Sequence, residues 1–258
     1  MKRVFSCLVI VLWAFSIRAE IIPSEKLFSS PVYSMAQLSP DGKYLSVKER
    51  GDKKIAFTIV DIESQDTFVA GAFTPEVLVK KYVWLNDSKL HFNIRKGGEN
   101  FEYILDFEFN NKNKDKGFYI LQEGYLVNLL PDETEFVLFA KKDKKKPHYH
   151  RLYKILIEDL KSNNFKRAQL IDKTKKDIVS YFYDNRLKRI ITTEVNDESE
   201  TVTLKWRPLK NLNWNTLLTY NGGDYRIIPA GFITENVLAV LSNKNTDKIA
   251  LQYLFSFY

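Results

Sequence analysis

From about residue 34 onward, apolar and polar side chains alternate in short runs of strand-forming residues, and each run ends at a polar turn. Alternation of period two puts successive side chains on opposite faces of a sheet, so these runs predict strands. One turn pattern returns about every fifty residues. Its sharpest copy is Leu38-Ser39-Pro40-Asp41-Gly42-Lys43-Tyr44-Leu45. Weaker copies are Trp84-Leu85-Asn86-Asp87-Ser88-Lys89-Leu90 and Leu130-Pro131-Asp132-Glu133-Thr134-Glu135-Phe136. Tyr183-Asp184-Asn185-Arg186-Leu187-Lys188 and Ile233-Thr234-Glu235-Asn236-Val237-Leu238 complete the series. A turn recurring at roughly 40–50 residues marks a β-propeller, in which each repeat is one four-stranded blade.

The expected fold class is therefore all-β: a β-propeller of about five four-stranded blades with the last blade incomplete. The repeats run approximately over 34–73, 79–122, 124–171, 177–221 and 224–258, in one propeller domain spanning 20–258. Asp41-Gly42 is a hairpin signal because glycine accepts positive φ. The third repeat is expected to hold strands at Tyr125–Leu130, Glu135–Ala140, Tyr149–Ile157 and Arg167–Ile171. Only Glu76–Lys81 and Asp172–Asp177 offer a helical turn. The fifth repeat reaches Phe255-Ser256-Phe257-Tyr258 within its third strand. Two expectations follow: an open or partial ring, or a ring closed by a strand from Ile21–Phe28 pairing with Ile249–Tyr258.

The first residues change the picture of where the protein resides. Lys2 and Arg3 precede an apolar run from Val4 to Ile17, followed by Arg18-Ala19-Glu20. A basic start, an apolar middle and a small residue at the cut form a secretory signal peptide, here residues 1–19, cleaved after Ala19. The run is short for a bilayer span, which needs about 20 apolar residues. Export to the periplasm or beyond is expected, with no membrane attachment after cleavage. Removing the leader also removes Cys7, the single cysteine. The mature chain must then rely on packing and strand pairing. The formal charge of +7 falls to +4 without Lys2, Arg3 and Arg18, too mild to suggest a nucleic-acid partner. The basic run Lys141-Lys142-Asp143-Lys144-Lys145-Lys146 reads as a solvated hairpin tip.

Ile22-Pro23, Phe28, Pro31 and Ala36-Gln37-Leu38-Ser39-Pro40-Asp41-Gly42-Lys43-Tyr44-Leu45 resemble the start of exported bacterial members of the prolyl oligopeptidase family of serine peptidases, of the acylaminoacyl-peptidase and dipeptidyl-aminopeptidase kind. Tyr82-Val83-Trp84-Leu85-Asn86-Asp87 is similar to that family's second blade. The resemblance implies a propeller, usually seven-bladed, that covers an α/β-hydrolase domain bearing a Ser-Asp-His triad and filters substrates by size. That nucleophile sits in a Gly-x-Ser-x-Gly elbow, a pattern this sequence does not contain. Nor does it contain the Glu-Glu pair with which some members hold a substrate amine. Catalytic residues therefore have no position here to be carried onto. The expected function is a non-catalytic, substrate-gating propeller portion, with peptides or a separate catalytic domain as partners. The alternative is a complete five-bladed periplasmic binding or scaffold propeller of TolB-like type, since the Ser-Pro-Asp-Gly-Lys turn occurs in those as well.

Other chemistry is sparse. The histidines are His91, His148 and His150. His148-Tyr149-His150 would present two imidazoles on one strand face, but zinc sites need three or four ligands, and the neighbouring lysines repel cations. His91 reads as a packed or half-exposed strand residue. Asp197-Glu198-Ser199-Glu200 lacks the spaced acids and glycine of a calcium loop and reads as a tight turn. Asn221-Gly222-Gly223-Asp224 reads as an interblade connection. No phosphate loop or dinucleotide fingerprint is present, so no catalytic residue, metal or cofactor is assigned.

Overall fold

The computed structural model describes residues 33–51, 53–106, 117–121, 123–143, 145–146, 149–172 and 177–255. The expected signal peptide, the Pro23, Phe28 and Pro31 lead-in, the closing strand at Ile21–Phe28 and His148 lie outside these residues.

Each repeat folds as an antiparallel meander. Blade 1 contains β1 (Tyr33–Leu38), β2 (Tyr44–Arg50), β3 (Ile55–Asp61) and β4 (Thr67–Phe73). Blade 2 contains β5 (Leu78–Asn86), β6 (Lys89–Lys96), β7 (Glu99–Asp106) and β8 (Gly117–Leu121). Blade 3 contains β9 (Gly124–Leu129), β10 (Phe136–Lys142), β11 (His150–Leu156) and a short β12 (Gln169–Leu170). Blade 4 contains β13 (Ile178–Asp184), β14 (Arg189–Asn196), β15 (Thr201–Pro208) and β16 (Asn215–Asn221). Blade 5 shows β17 (Ile227–Thr234), β18 (Val237–Ser242) and β19 (Ala250–Phe255), a three-stranded sheet among the described residues.

Three local expectations are corrected. The residues expected as a turn at Glu76–Lys81 already enter β5 at Leu78, because Val79 is buried against blade 1. The strand expected to run to Ile157 ends at Leu156, and Ile157–Lys161 forms a one-turn helix, α1. Glu158 and Asp159 lie in its first turn and Lys161 in its last, the charge order a helix dipole favours. Five residues are too few to show a helical period in sequence. The third repeat's fourth strand shrinks from Arg167–Ile171 to two residues, since Arg167 turns away to bind Asp159 with two hydrogen bonds of 3.0 and 2.6 Å.

Packing between blades follows from the alternation. On β6, Leu90, Phe92 and Ile94 point into a core shared with Phe57 and Ile59 of blade 1. Their neighbours Lys89, His91 and Asn93 pair across β7 with Asp106, Ile104 and Glu102 on the opposite face. That face meets blade 3, where Leu85, Ile104 and Leu121 join Val137, Phe139 and Ile155. Similar cores lie between blades 3 and 4 and between blades 4 and 5.

The recurring turns act as stitches between blades at one end of the propeller, here termed the turn end. In the first copy, Tyr44 N donates to Ser39 Oγ at 2.9 Å and Lys43 N to Asp41 Oδ1 at 3.1 Å. Gly42 sits at φ +74°, where a side chain would be strained. The turn then reaches its successor, with Asp41 N donating to Asp87 Oδ1 at 3.1 Å. Asn185 donates to Asn128 at 3.4 Å, and Lys188 pairs with Asp132. Phe232 N donates to Asp184 Oδ2 at 2.8 Å, and Arg186 Nη2 donates to the Ile233 carbonyl at 2.9 Å. The repeat is therefore legible in sequence because it is structural.

Candidate functional site

The opposite end of the propeller carries the β6–β7 hairpin and the β8–β9 connection, and here blades 2 and 3 diverge around a cleft of about 1100 Å³. Concave sites of this kind, mixing apolar wall with a few polar groups, are where ligands bind. Lys81, His91, Asn93, Phe101 and Glu102 form the blade 2 wall, and Gly124, Tyr125, Leu126, Lys142 and His150 the blade 3 wall.

Strand register assembles the polar group. Asn93 and Glu102 are direct partners across β6 and β7, and His91 lies two residues before Asn93 on the same face. Asn93 Nδ2 donates to Glu102 Oε1 at 2.6 Å, and His91 Nε2 lies against Glu102 Oε2. His91 is 3 % exposed and Glu102 5 %. His91 Nδ1 and Asn93 Oδ1 have no hydrogen-bond partner within the protein. A buried polar atom left in that condition costs about 1–3 kcal/mol, so two in one wall are costly for folding alone. Chemically the set offers a carboxylate and an amide oxygen to a group that donates hydrogen bonds.

Blade 3 supplies the facing wall. Gly124 allows β9 to lie against β10. A β-carbon there would stand 2.3 Å from the Ala140 carbonyl oxygen and 2.5 Å from Phe139 Cε1. Tyr125 is anchored as the acceptor of Tyr181 N at 2.8 Å, and burial pushes its phenol up to about 12. His150 packs edge-on to the Tyr125 ring with centroids 5.1 Å apart. Burial, with Lys142 adding to it, holds the His150 pKa below the usual histidine value. Its Nδ1 is buried without a partner. At the rim, Lys80 Nζ donates to Asn100 Oδ1 at 2.7 Å. Lys80, Lys81 and Lys142 balance Glu99, Glu102 and Glu123 around the cleft.

Of the residues singled out in sequence, His91 is packed, one of the two alternatives its strand position left, and it belongs to the cleft. His150 belongs there too, but it opens β11 and Tyr149 precedes the strand. The other histidine of that pair, His148, lies outside the described residues. Lys142 of the basic run is drawn into the cleft lining. Lys141 covers the Phe165 ring at 3.8 Å, and Lys146 pairs with Asp177 at 3.1 Å. Asp197-Glu198-Ser199-Glu200 is a turn in which Asn196 Oδ1 accepts from Glu198 N at 3.0 Å. Asp197 accepts the Tyr149 hydroxyl at 2.6 Å, a bond that pushes that phenol up to about 12. Gly222 and Gly223 form a turn held by Asn221 Oδ1, which accepts from Gly223 N at 2.9 Å. Asn93 and Glu102 were missed. Their signal was polar residues alternating with Leu90, Phe92 and Ile94 on β6 and with Phe101, Tyr103 and Leu105 on β7.

No family model matches the sequence, and no curated protein does. Solved structures do match in shape. A prolyl endopeptidase studied for inter-domain dynamics in catalysis and specificity superposes with a TM-score of 0.55 at 11% identity, over 86% of this chain and 34% of that one. The fold is a β-propeller. An oligogalacturonate lyase in complex with manganese gives a TM-score of 0.53 at 11% identity, over 89% of this chain and 67% of that one. TolB from Acinetobacter baumannii gives 0.41 at 11% identity, over 87% and 54%. The chain spans about a third of the prolyl endopeptidase's length. Likeness at this identity is one of fold, and propellers host many activities.

Proposed function

We propose that this chain is a ligand-holding propeller that cleaves no bond itself, built on the frame that prolyl-oligopeptidase-type enzymes place in front of a catalytic domain to screen substrates. The cleft between blades 2 and 3 carries this reading. It has the size of a small-ligand site, and its wall holds buried polar atoms that protein partners leave unmatched. The lead-in around Ser39-Pro40-Asp41-Gly42 supports the family frame, as does the shape shared with the prolyl endopeptidase. The basic-apolar leader supports action outside the cytoplasm.

The test has two arms. A serine-directed fluorophosphonate should leave the purified chain unlabelled. A thermal-shift screen of small polar compounds should find ligands that raise the melting temperature of the natural chain and not of an Asn93→Ala variant. Stoichiometric labelling of one serine with ester turnover would overturn the reading. So would ligands whose effect ignores Asn93.

A further inference from the structure

We propose that the cleft between blades 2 and 3 is a carbohydrate site, taking a neutral saccharide of one to three units. This rests on the reading of the cleft as a binding site and names what binds there. The first observation is the charge balance of the rim. Lys80, Lys81 and Lys142 stand against Glu99, Glu102 and Glu123 around one opening. A ligand of either net charge meets as many like charges as opposite ones, so neither a polyanion nor a polyamine is favoured.

The second observation is the unmatched set in the wall. Asn93 Oδ1 is an acceptor with no donor. His91 Nδ1 has no partner within the protein either. Glu102 Oε2 keeps acceptor capacity as well. The wall therefore asks for hydrogen-bond donors, and the lysine ammoniums at the rim ask for acceptors. Hydroxyl groups supply both at once without adding charge.

The third observation is the apolar part of the lining. Phe101, Tyr125, Ile120, Leu121 and Leu126 alternate with the polar side chains. A pyranose has an apolar face of C–H groups and an edge of hydroxyls. Against this cleft the face lies on the aromatic and aliphatic residues while the edge reaches Asn93 and Glu102. The volume, about 1100 Å³, is at the large end for ligand sites and accommodates a trisaccharide.

The test is calorimetric titration of the chain with cellotriose, maltotriose and tri-N-acetylchitotriose, beside trigalacturonate, spermidine and triglycine. Asn93→Ala and Lys81→Ala are measured in parallel, the second an exposed position that leaves the fold intact. At least one neutral trisaccharide should bind, with affinity reduced about tenfold in Asn93→Ala and less in Lys81→Ala. Triglycine, trigalacturonate or spermidine binding in place of the neutral sugars, with the same dependence on Asn93, would overturn the sugar assignment and leave the cleft as a site. Sugar binding unchanged in both variants would place the sugar elsewhere and overturn the proposal. Absence of heat from all six compounds would overturn both the proposal and the reading beneath it.

Discussion

The seam between blades 1 and 2 and the seam between blades 2 and 3 use opposite chemistry on two faces of the same sheet. In the first, Phe57, Tyr82 and Phe92 are wholly buried, with Phe57 edge-on to Tyr82 at 5.0 Å and to Phe92 at 4.7 Å. The polar tips of Tyr82 and Trp84 find partners there. Trp84 Nε1 donates to Ser46 Oγ at 3.0 Å and to the Gln37 carbonyl at 3.2 Å, and the Tyr82 hydroxyl donates to the Met35 carbonyl. The second seam is graded along its length. At the turn end, Lys89 and Lys161 interleave with Asp106 and Glu158, and so tie α1 to blade 2. An apolar middle follows, and the far end opens into the polar cleft. A seam that only has to hold satisfies its polar groups or omits them. A seam that keeps unmatched ones is carrying something besides stability.

The comparison can be broken by substitution. Phe57→Ala should cost about 3–5 kcal/mol, since the ring sits in the middle of an aromatic cluster. Chemical denaturation that shows a loss below about 1 kcal/mol would mean the first seam is not the tighter one. Gly124→Ala should cost about 3 kcal/mol, because the added carbon meets the Ala140 backbone and the Phe139 ring. Strand β9 then has to move, so the loss should come with a weaker thermal-shift response to any ligand of the cleft.

The buried pair gives a sharper contrast. Glu102→Ala alone should destabilise by about 1–3 kcal/mol, because Asn93 and His91 lose their shared partner. The triple replacement His91→Leu, Asn93→Leu and Glu102→Leu should be neutral or stabilising by up to about 4 kcal/mol. A triple variant as unstable as the single one would show that the polar set is required by the fold, and the contrast between seams would fail. The smallest effect is on pH dependence. His150 has its folded pKa lowered by burial and by Lys142. An imidazole depressed in the folded state binds more protons when unfolded, so its contribution is complete above the ordinary histidine value of 6.5 and is lost as pH falls through the folded value. Melting temperatures from pH 8 down to 5 should therefore drop less steeply in His150→Gln than in the natural chain. Parallel curves would remove His150 from the cleft's electrostatics.

The sequence carried the architecture because strand alternation and turn chemistry are local. Ser39-Pro40-Asp41-Gly42 encodes its own turn through hydrogen bonds within five residues, and its φ requirement is met by one glycine. Period-two patterns placed β9, β10 and β11 within about two residues of where they lie. The one-turn helix α1 escaped because its reason is tertiary: Lys161 and Glu158 are fixed by Asp106 and Lys89, which are more than fifty residues away in the chain.

The cleft was beyond the sequence for the same reason. Glu102 and Asn93 are nine residues apart and become partners only through the β6–β7 register. Tyr125, Lys142 and His150 reach the same opening only because β9 lies against β10 at Gly124. Local pattern decided which residues are strand and which faces are apolar. Only the docking of one sheet on the next decided that a lysine-rich hairpin, a strand histidine and a glutamate would share one hollow, because burial and charge balance belong to neighbours in space rather than neighbours in the chain.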